Sequence, residues 1–318
     1  MTVQKIAVVV PAYKVSSHIL DVLREIGPEV SNIYVVDDAC PEASGKLVQA
    51  KCNDSRVKVI FHDVNQGVGG ATVSGYRAAI DSGVDVIVKL DGDGQMDPSK
   101  IKDLIAPIVS GNADYTKGNR FDSLTGLKQM PNVRVFGNGI LSLMSKVASG
   151  YWGITDPTNG FTAIHSQIAK ALPLEMVSKR FFFESDLLFR LSLARAVVVD
   201  VAMDARYGSE KSNLSVFRAI FEFPRRHFVN FHKRLFYNYY LRDMTAASIE
   251  LPLGIFFSWF GAIFGLVRWR ASQEAGHPAT AGTVMIAAIS IILGVQLILG
   301  FLNQDIANEP RRVRHKNY

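Results

Sequence analysis

Apolar residues form short runs over the first two hundred positions and two long unbroken stretches nearer the end, and the two textures predict different structures. Residues 6–10, 33–36, 57–61, 86–90 and 197–201 are β-branched runs that each end in polar residues, as strands buried on both faces do. Amphipathic stretches with helical spacing, such as 19–26 and 70–80, lie between them. Strands alternating with helices predict a mostly parallel, Rossmann-like α/β sheet with right-handed crossovers. Ligands of such sheets bind beyond the carboxyl ends of the strands. The polar residues at 11–13, 37–38 and 91–93 are therefore expected to converge on one edge.

Beyond the sheet the pattern changes twice. Residues 216–243 mix Phe and Tyr with Arg and Lys at helical spacing, and Pro224 predicts a break between two short helices. Rings at headgroup depth and cations toward anionic lipid fit interfacial helices lying in a membrane plane. RNA stacking uses similar residues, but the adjacent apolar stretches favour lipid. Those stretches, 251–267 and 283–302, approach the roughly 20 residues that cross a bilayer. Their short linker predicts a hairpin that returns the chain to its starting side. The rival reading, two buried core helices, leaves no soluble partner surface to cover them. The expected division is a catalytic domain over 1–215, juxtamembrane helices over 216–244, two spans over 245–303 and a basic tail over 304–318.

Composition sharpens this picture. Of 318 residues 48% are hydrophobic, high for a soluble enzyme, and the excess lies almost wholly beyond Leu251. The net charge of +6 suits nucleic acid, anionic lipid or phosphorylated small molecules alike, and position separates them. Arg225, Arg226, Lys233, Arg234 and Arg242 precede the first span, while Arg311, Arg312, Arg314 and Lys316 follow the second. These outnumber Arg268 and Arg270 between the spans, which places the clusters at a cytoplasmic membrane face and argues against a nucleic-acid partner. Cys40 and Cys52 form no CxxC and point to a reducing compartment. The opening MTVQKIAVVVPAY has too short an apolar run for a signal peptide, so the first domain is expected in the cytoplasm. Short interfacial helices and a two-span anchor are compatible with a homo-oligomer.

Candidate chemistry sits where the predicted strands end. Asp91-Gly92-Asp93-Gly94-Gln95-Met96-Asp97-Pro98 follows the strand VDVIVKL; carboxylates two apart on extended chain point to one side, and glycines admit a ligand to the backbone. Such a pair suits Mg²⁺ or Mn²⁺, which leave positions for phosphate oxygens. A calcium-binding loop is excluded, because its sixth position would be Met96 and its twelfth Lys102. The segment from Asn65 to Ala71 resembles a dinucleotide fingerprint but fails it, since Thr72 stands where the third glycine belongs. Gly67 and Gly70 could still accept a phosphate at a helix start, or form a simple tight turn. Asp38 could bond a base or ribose, or cap a helix before Pro41. Asp156 lies in the shaped loop TDPTNGF, and Arg206 and Lys211 in a polar loop just before the interfacial helices. Glu184 and Asp186 open an amphipathic helix and are read first as dipole partners, with a catalytic role as the alternative; His227 and His232 are expected to face headgroups.

VVVPAY, VVDDA, NxGxGGA, DGDGQMDP, GNR at 118–120 and DPTNGF, in that order, resemble family 2 glycosyltransferases of the GT-A fold. The two C-terminal spans make the chain similar to the bactoprenol-phosphate and dolichol-phosphate branch. The resemblance implies inverting transfer from a UDP- or GDP-sugar donor to a polyisoprenyl phosphate, with UDP-glucose the favoured donor and undecaprenyl phosphate the favoured acceptor. It implies a divalent cation at Asp91 and Asp93, and donor contacts from Pro11, Ala12, Tyr13, Asp38, Gly67, Gly70, Asp91, Gln95 and Arg120. Asp156 matches the acceptor-side Asp, either as a base or as an orienting group. Lys117, Arg120, Arg206 and Lys211 are the cations available to an acceptor phosphate. Lys14 stands where an Asn-Glu pair is common, RYGSEKS departs from the commoner RxxGxSK spacing, and the QxxRW of processive synthases is missing.

Overall fold

The computed structural model describes residues 4–121, 132–203 and 216–317. Its first compact unit comprises residues 1–231 and 310–318, and its second residues 232–309.

The first unit is built on a seven-stranded sheet of order β3-β2-β1-β4-β6-β5-β7. The strands are β1 (Ile6–Ala12), β2 (Asn32–Asp37), β3 (Val57–Phe61), β4 (Val86–Lys89), β5 (Tyr115–Asn119), β6 (Thr162–His165) and β7 (Val198–Ala202). All pairings are parallel except those of β6, which runs antiparallel to both β4 and β5. The period-2 alternation of a strand sends its side chains to opposite faces. Ala7 and Val9 thus join one core with Tyr34, Tyr76 and Leu187, while Val8 and Val10 join another with Leu23, Val88 and Leu104. Both faces are covered, which is why β1 reads as a continuous apolar run.

Five strands fall where the apolar runs predict them. β5 and β6 do not announce themselves: YTKGN carries a lysine, a glycine and an asparagine, and TAIH is only four residues long. Both are buried by their neighbours nonetheless. The antiparallel β6 has a consequence for the site, because its first residue, Thr162, stands opposite Lys89 on one side and Lys117 on the other.

The chain leaves this unit after Phe231 and rejoins it at Pro310. In the returning tail, the backbone N–H groups of Arg314 and His315 donate to Asp114 at 2.9 Å. The His315 ring lies 2.7 Å from the same carboxylate and stacks on His165 at 4.2 Å. Asp114 also accepts from the Val197 N–H at 2.8 Å, so one buried carboxylate ties the tail to the edge of β7.

Pro224 does not break the chain into two short helices: one helix runs unbroken over Val216–Phe236 before a π-helical stretch at Tyr237–Arg242. One lost N–H is tolerated where packing holds the turn: Phe223 and His227, on either side of the proline, pack edge-on against Phe182 at 5.4 and 4.9 Å. His227 therefore faces protein and not headgroups; it is buried, and burial pulls its pKa down to about 4.

In the second unit, helices Ala246–Ala275 and Ala281–Ala307 are long and apolar enough to cross a membrane, and only 11% and 17% of their apolar windows are buried. Helices that bare are not the core of a soluble domain. They pack antiparallel through glycines: a Cβ on Gly254 would come within 2.8 Å of Ile298, and one on Gly294 within 2.5 Å of the Ser258 nitrogen. Close backbone approach of this kind holds helices together where lipid removes the hydrophobic drive. At the end of the second helix, Asp305 accepts bonds from Arg234 at 2.6 and 3.0 Å and from the Tyr239 hydroxyl at 2.6 Å.

Candidate active site

The carboxyl ends of β1, β4 and β5, together with the loop before β6, form the site. Ala12 pairs in register with Asp37, and Gly92 of the acidic turn lies against Val10 and the Pro11 carbonyl, so close that a Cβ there would come within 3.3 and 3.6 Å of them. The Tyr13 ring is 40% exposed at the rim, and Lys14 beside it adopts a left-handed φ of 57°. The convergence expected from the sheet is therefore present for Pro11, Ala12 and the acidic segment.

The acidic pair sits in a turn and not on extended chain, because β4 ends at Lys89. Asp93 Oδ1 accepts from the Gln95 N–H at 3.0 Å, which shapes the turn, and Gln95 is exposed. Asp91 Oδ1 is engaged by the Nζ of Lys89 at 2.7 Å. Lys89 is buried in a central strand and also reaches the Gly160 carbonyl at 3.3 Å and Glu184 Oε1 at 3.3 Å. Burial works against its charge, but the carboxylates of Asp91 and Glu184 outweigh burial and raise its pKa. Among the described residues no cluster of three or more His, Cys, Asp or Glu that could hold a metal ion is present. A hard divalent cation here would have the Asp91 and Asp93 carboxylates as its protein ligands, and phosphate oxygens and water would have to complete its shell.

The loop before β6 folds onto this turn. A Cβ on Gly160 would lie 2.6 Å from both Asp91 Oδ2 and Lys89 Nζ, so only glycine lets the TDPTNGF loop pass here. Asn159 locks the loop to β5, donating to the Gly118 carbonyl at 2.7 Å and accepting from the Phe161 N–H at 3.0 Å. Asp156 is fully buried, and Arg120 grips it with Nε on Oδ2 at 2.7 Å and Nη2 on Oδ1 at 3.0 Å. Both carboxylate oxygens are thus turned toward the guanidinium, which remains 24% exposed.

Lys117, expected among the cations for an acceptor phosphate, is instead fully buried and donates to the Asn159 carbonyl. Burial lowers its pKa to about 8 against the opposing pull of Glu184, Asp156 and Asp200. Burial likewise raises Asp200 to about 6, although its bond from the Thr155 N–H and nearby Lys117 favour the charged form. Between pH 8 and 10.5 the folded chain binds fewer protons at Lys117 than the unfolded chain, so stability rises with pH through that window. The full swing is about 3 kcal/mol. Denaturation of wild type and Lys117→Met at pH 7.5 and 10 should show the rise in wild type and its loss in the variant.

Two groups of donor-side candidates are engaged by other parts of the chain. Asp38 does not face outward: its oxygens accept from the Gln66 and Gly67 N–H groups at 2.8 and 2.7 Å and from the His62 ring at 2.8 Å. It holds the loop before the helix Val68–Asp81, while Asp37 takes the capping task through the Cys40 and Gly45 N–H groups. Gly67 packs against residues 179–180, where a Cβ would lie 2.6 Å from the Lys179 carbonyl, and the Gly70 N–H donates to that same carbonyl at 3.1 Å. These glycines serve close packing. Arg206 and Lys211 lie outside the described residues.

Sequence reasoning missed Lys89 as a site residue and put a catalytic role for Glu184 second to a helix-dipole role. The signal was present, since a lysine inside VDVIVKL is a charge in a buried strand and requires partners. Asp186, by contrast, is structural, accepting from Ser178 N–H, Arg190 and Asn230.

A glycosyl transferase family 2 profile matches residues 7–172, which carry strands β1 to β6 and the acidic turn. The chain belongs to glycosyl transferase family 2. Among curated relatives, it is 30% identical over 190 residues to a UDP-N-acetylglucosamine–dolichyl-phosphate N-acetylglucosaminyltransferase of Methanococcus voltae, covering 55% of this chain and 75% of the relative. It is also 30% identical over 181 residues to an undecaprenyl-phosphate mannosyltransferase of Micrococcus luteus, covering 56% and 73%. Among solved structures, glucosyl-3-phosphoglycerate synthase of Mycobacterium tuberculosis superposes with a TM-score of 0.55 at 18% identity, over 73% of this chain and 80% of that one. That likeness establishes the GT-A-like fold. The same synthase is known in complex with Mn²⁺ and uridine diphosphate.

Proposed function

We propose that this family 2 glycosyltransferase moves a hexose or N-acetylhexosamine from a nucleoside-diphosphate sugar onto a polyisoprenyl phosphate at a membrane surface, with inversion. The observation that carries the reading is the Asp91–Asp93 turn joined through Gly160 to the loop holding Asp156 and Arg120. One edge of the sheet thereby offers oxygen ligands beside a guanidinium. The named relatives, whose acceptors are dolichyl and undecaprenyl phosphates, support the lipid acceptor. Their sugars are N-acetylglucosamine and mannose, so they lend no support to glucose as the donor sugar.

Bound Mg²⁺ or Mn²⁺ would neutralise the departing diphosphate. Asp93 and the free face of Asp91 would hold the cation. Tyr13 at the rim and the ends of β1 would border the donor. Arg120, fixed by Asp156, would orient the incoming phosphate monoester by a planar, charge-assisted contact. A phosphate monoester has a second pKa of about 6 and is mostly dianionic at neutral pH. It attacks the anomeric carbon without surrendering a proton, so the chain need not supply a general base. This agrees with Asp156 being buried and spoken for.

The tail supports a two-pass topology. Residues 310–317 belong to the same compact unit as the catalytic sheet, through Asp114, and two helices of spanning length lie between the departure and the return. An even number of crossings puts both ends of that excursion on one side, the cytoplasmic side by the distribution of cations.

The test is transfer of labelled sugar from a panel of UDP- and GDP-sugars to undecaprenyl and dolichyl phosphate by the detergent-solubilised chain. A lipid-extractable product that vanishes on chelation is the expected result. Transfer to a diacylglycerol or ceramide hydroxyl, with none to the phosphates, would overturn the acceptor assignment.

A further inference from the structure

Lys89 and Glu184 are the two charged site residues to which the family reading gives no task. Lys89 is buried, and its ammonium lies 2.7 Å from one oxygen of Asp91. Its other contacts are Glu184 Oε1 at 3.3 Å and the Gly160 carbonyl at 3.3 Å. Glu184 opens the helix Phe183–Leu193 and is itself buried. Three separate elements, the end of β4, the TDPTNGF loop and a helix start, therefore meet on one ammonium.

The geometry points to Lys89 as an internal counter-cation that sets how strongly the acidic turn binds a divalent metal, with Glu184 as the group that sets Lys89's hold on Asp91. This rests on the glycosyltransferase reading and adds two positioning residues to it. The argument is electrostatic. A fixed positive charge one hydrogen bond from Asp91 cancels much of that carboxylate's field at any cation beside it, and inside the protein such interactions are several-fold stronger than in water. Asp91 Oδ1 is moreover occupied, so Asp91 offers the metal one oxygen while Asp93 carries the larger share. Glu184 competes with Asp91 for the same ammonium. Removing the negative charge of Glu184 commits Lys89 more fully to Asp91, whereas removing the charge of Lys89 releases Asp91. A purely structural role would weaken binding in both cases; the inference requires opposite directions.

The experiment is Mn²⁺ binding to the purified full chain in detergent, read from the free-Mn²⁺ electron paramagnetic resonance signal, with and without UDP or GDP. Circular dichroism serves as the folding check. Without nucleotide, Lys89→Gln should tighten Mn²⁺ binding at least tenfold and Glu184→Gln should weaken it at least threefold. Binding within twofold of wild type, or a shift in the other direction, in either folded variant overturns the inference. If Lys89→Gln does not fold, Glu184→Gln decides alone. Wild type that binds Mn²⁺ with a nucleotide while the variants are unmoved defeats this inference and leaves the glycosyltransferase reading standing. Wild type that binds neither Mn²⁺ nor nucleotide defeats both.

Discussion

Asp93→Asn should lower sugar transfer at least a hundredfold while leaving the fold intact. The two halves of that expectation have separate causes. Asp93 sits in a partly exposed turn, and its Oδ1 accepts from the Gln95 N–H at 3.0 Å. An asparagine carbonyl can accept the same bond, so the turn survives and stability changes by no more than about 0.5 kcal/mol. The lost charge is the one not shared with Lys89, and a clamp on developing charge at a leaving group is worth about 10²–10³ in rate. Asp91→Asn makes a useful contrast. It also breaks a 2.7 Å ion pair with a fully buried lysine, so it should cost stability as well as activity. Transfer rates and thermal midpoints of the two variants, measured side by side, check both halves. Equal loss of stability in the two variants would mean that Asp93 has structural partners of the same weight as those of Asp91.

The acidic turn, the β1 end and the Asp156 loop were legible because each follows, or lies within, a segment with local meaning: a buried run, a Pro-Ala turn, a Pro-Thr-Asn-Gly loop. What escaped was set by tertiary pairing. Strand β6 is four residues long, too short to show a period, and it exists because β4 and β5 leave a place for an antiparallel strand between them. Asp38 looked like a ligand because it ends a strand at the correct edge. Its carboxylate is taken by two N–H groups nearly thirty residues downstream, a contact that no local pattern encodes. Gly67 and Gly70 were read locally, as a phosphate-accepting helix start or a tight turn, whereas the Lys179 carbonyl that meets them is more than a hundred residues away. Lys89 was the recoverable omission. A charge in a continuous apolar strand always requires a partner, and the nearest carboxylate in sequence was the one already assigned to metal.

Asp156→Asn and Arg120→Gln should each lower transfer by about tenfold to a hundredfold, and the double variant should be no worse than the poorer single. That expectation follows from the bidentate pair at 2.7 and 3.0 Å with its carboxylate fully buried. If Asp156 acts through Arg120, removing either partner disorders the same guanidinium, and the second substitution finds nothing left to remove. The loss should appear mainly in KM for the lipid phosphate, because the group displaced is the one that receives it. A general base would behave otherwise. It contributes about 10²–10⁴ to turnover and leaves a pH dependence that the asparagine variant abolishes; its effect would add to that of Arg120→Gln in the double variant. The cycle therefore separates the two roles by additivity even where the single effects overlap. Stability provides an independent check on the same pair. Asp156→Asn leaves a mostly buried guanidinium short of its counter-charge, and breaking a buried pair from one side costs about 3–5 kcal/mol. Arg120 remains partly exposed, so water can recover some of that cost, and the measured loss should fall below this range. A transfer-dead Asp156→Asn of wild-type stability and unchanged KM would reinstate the base.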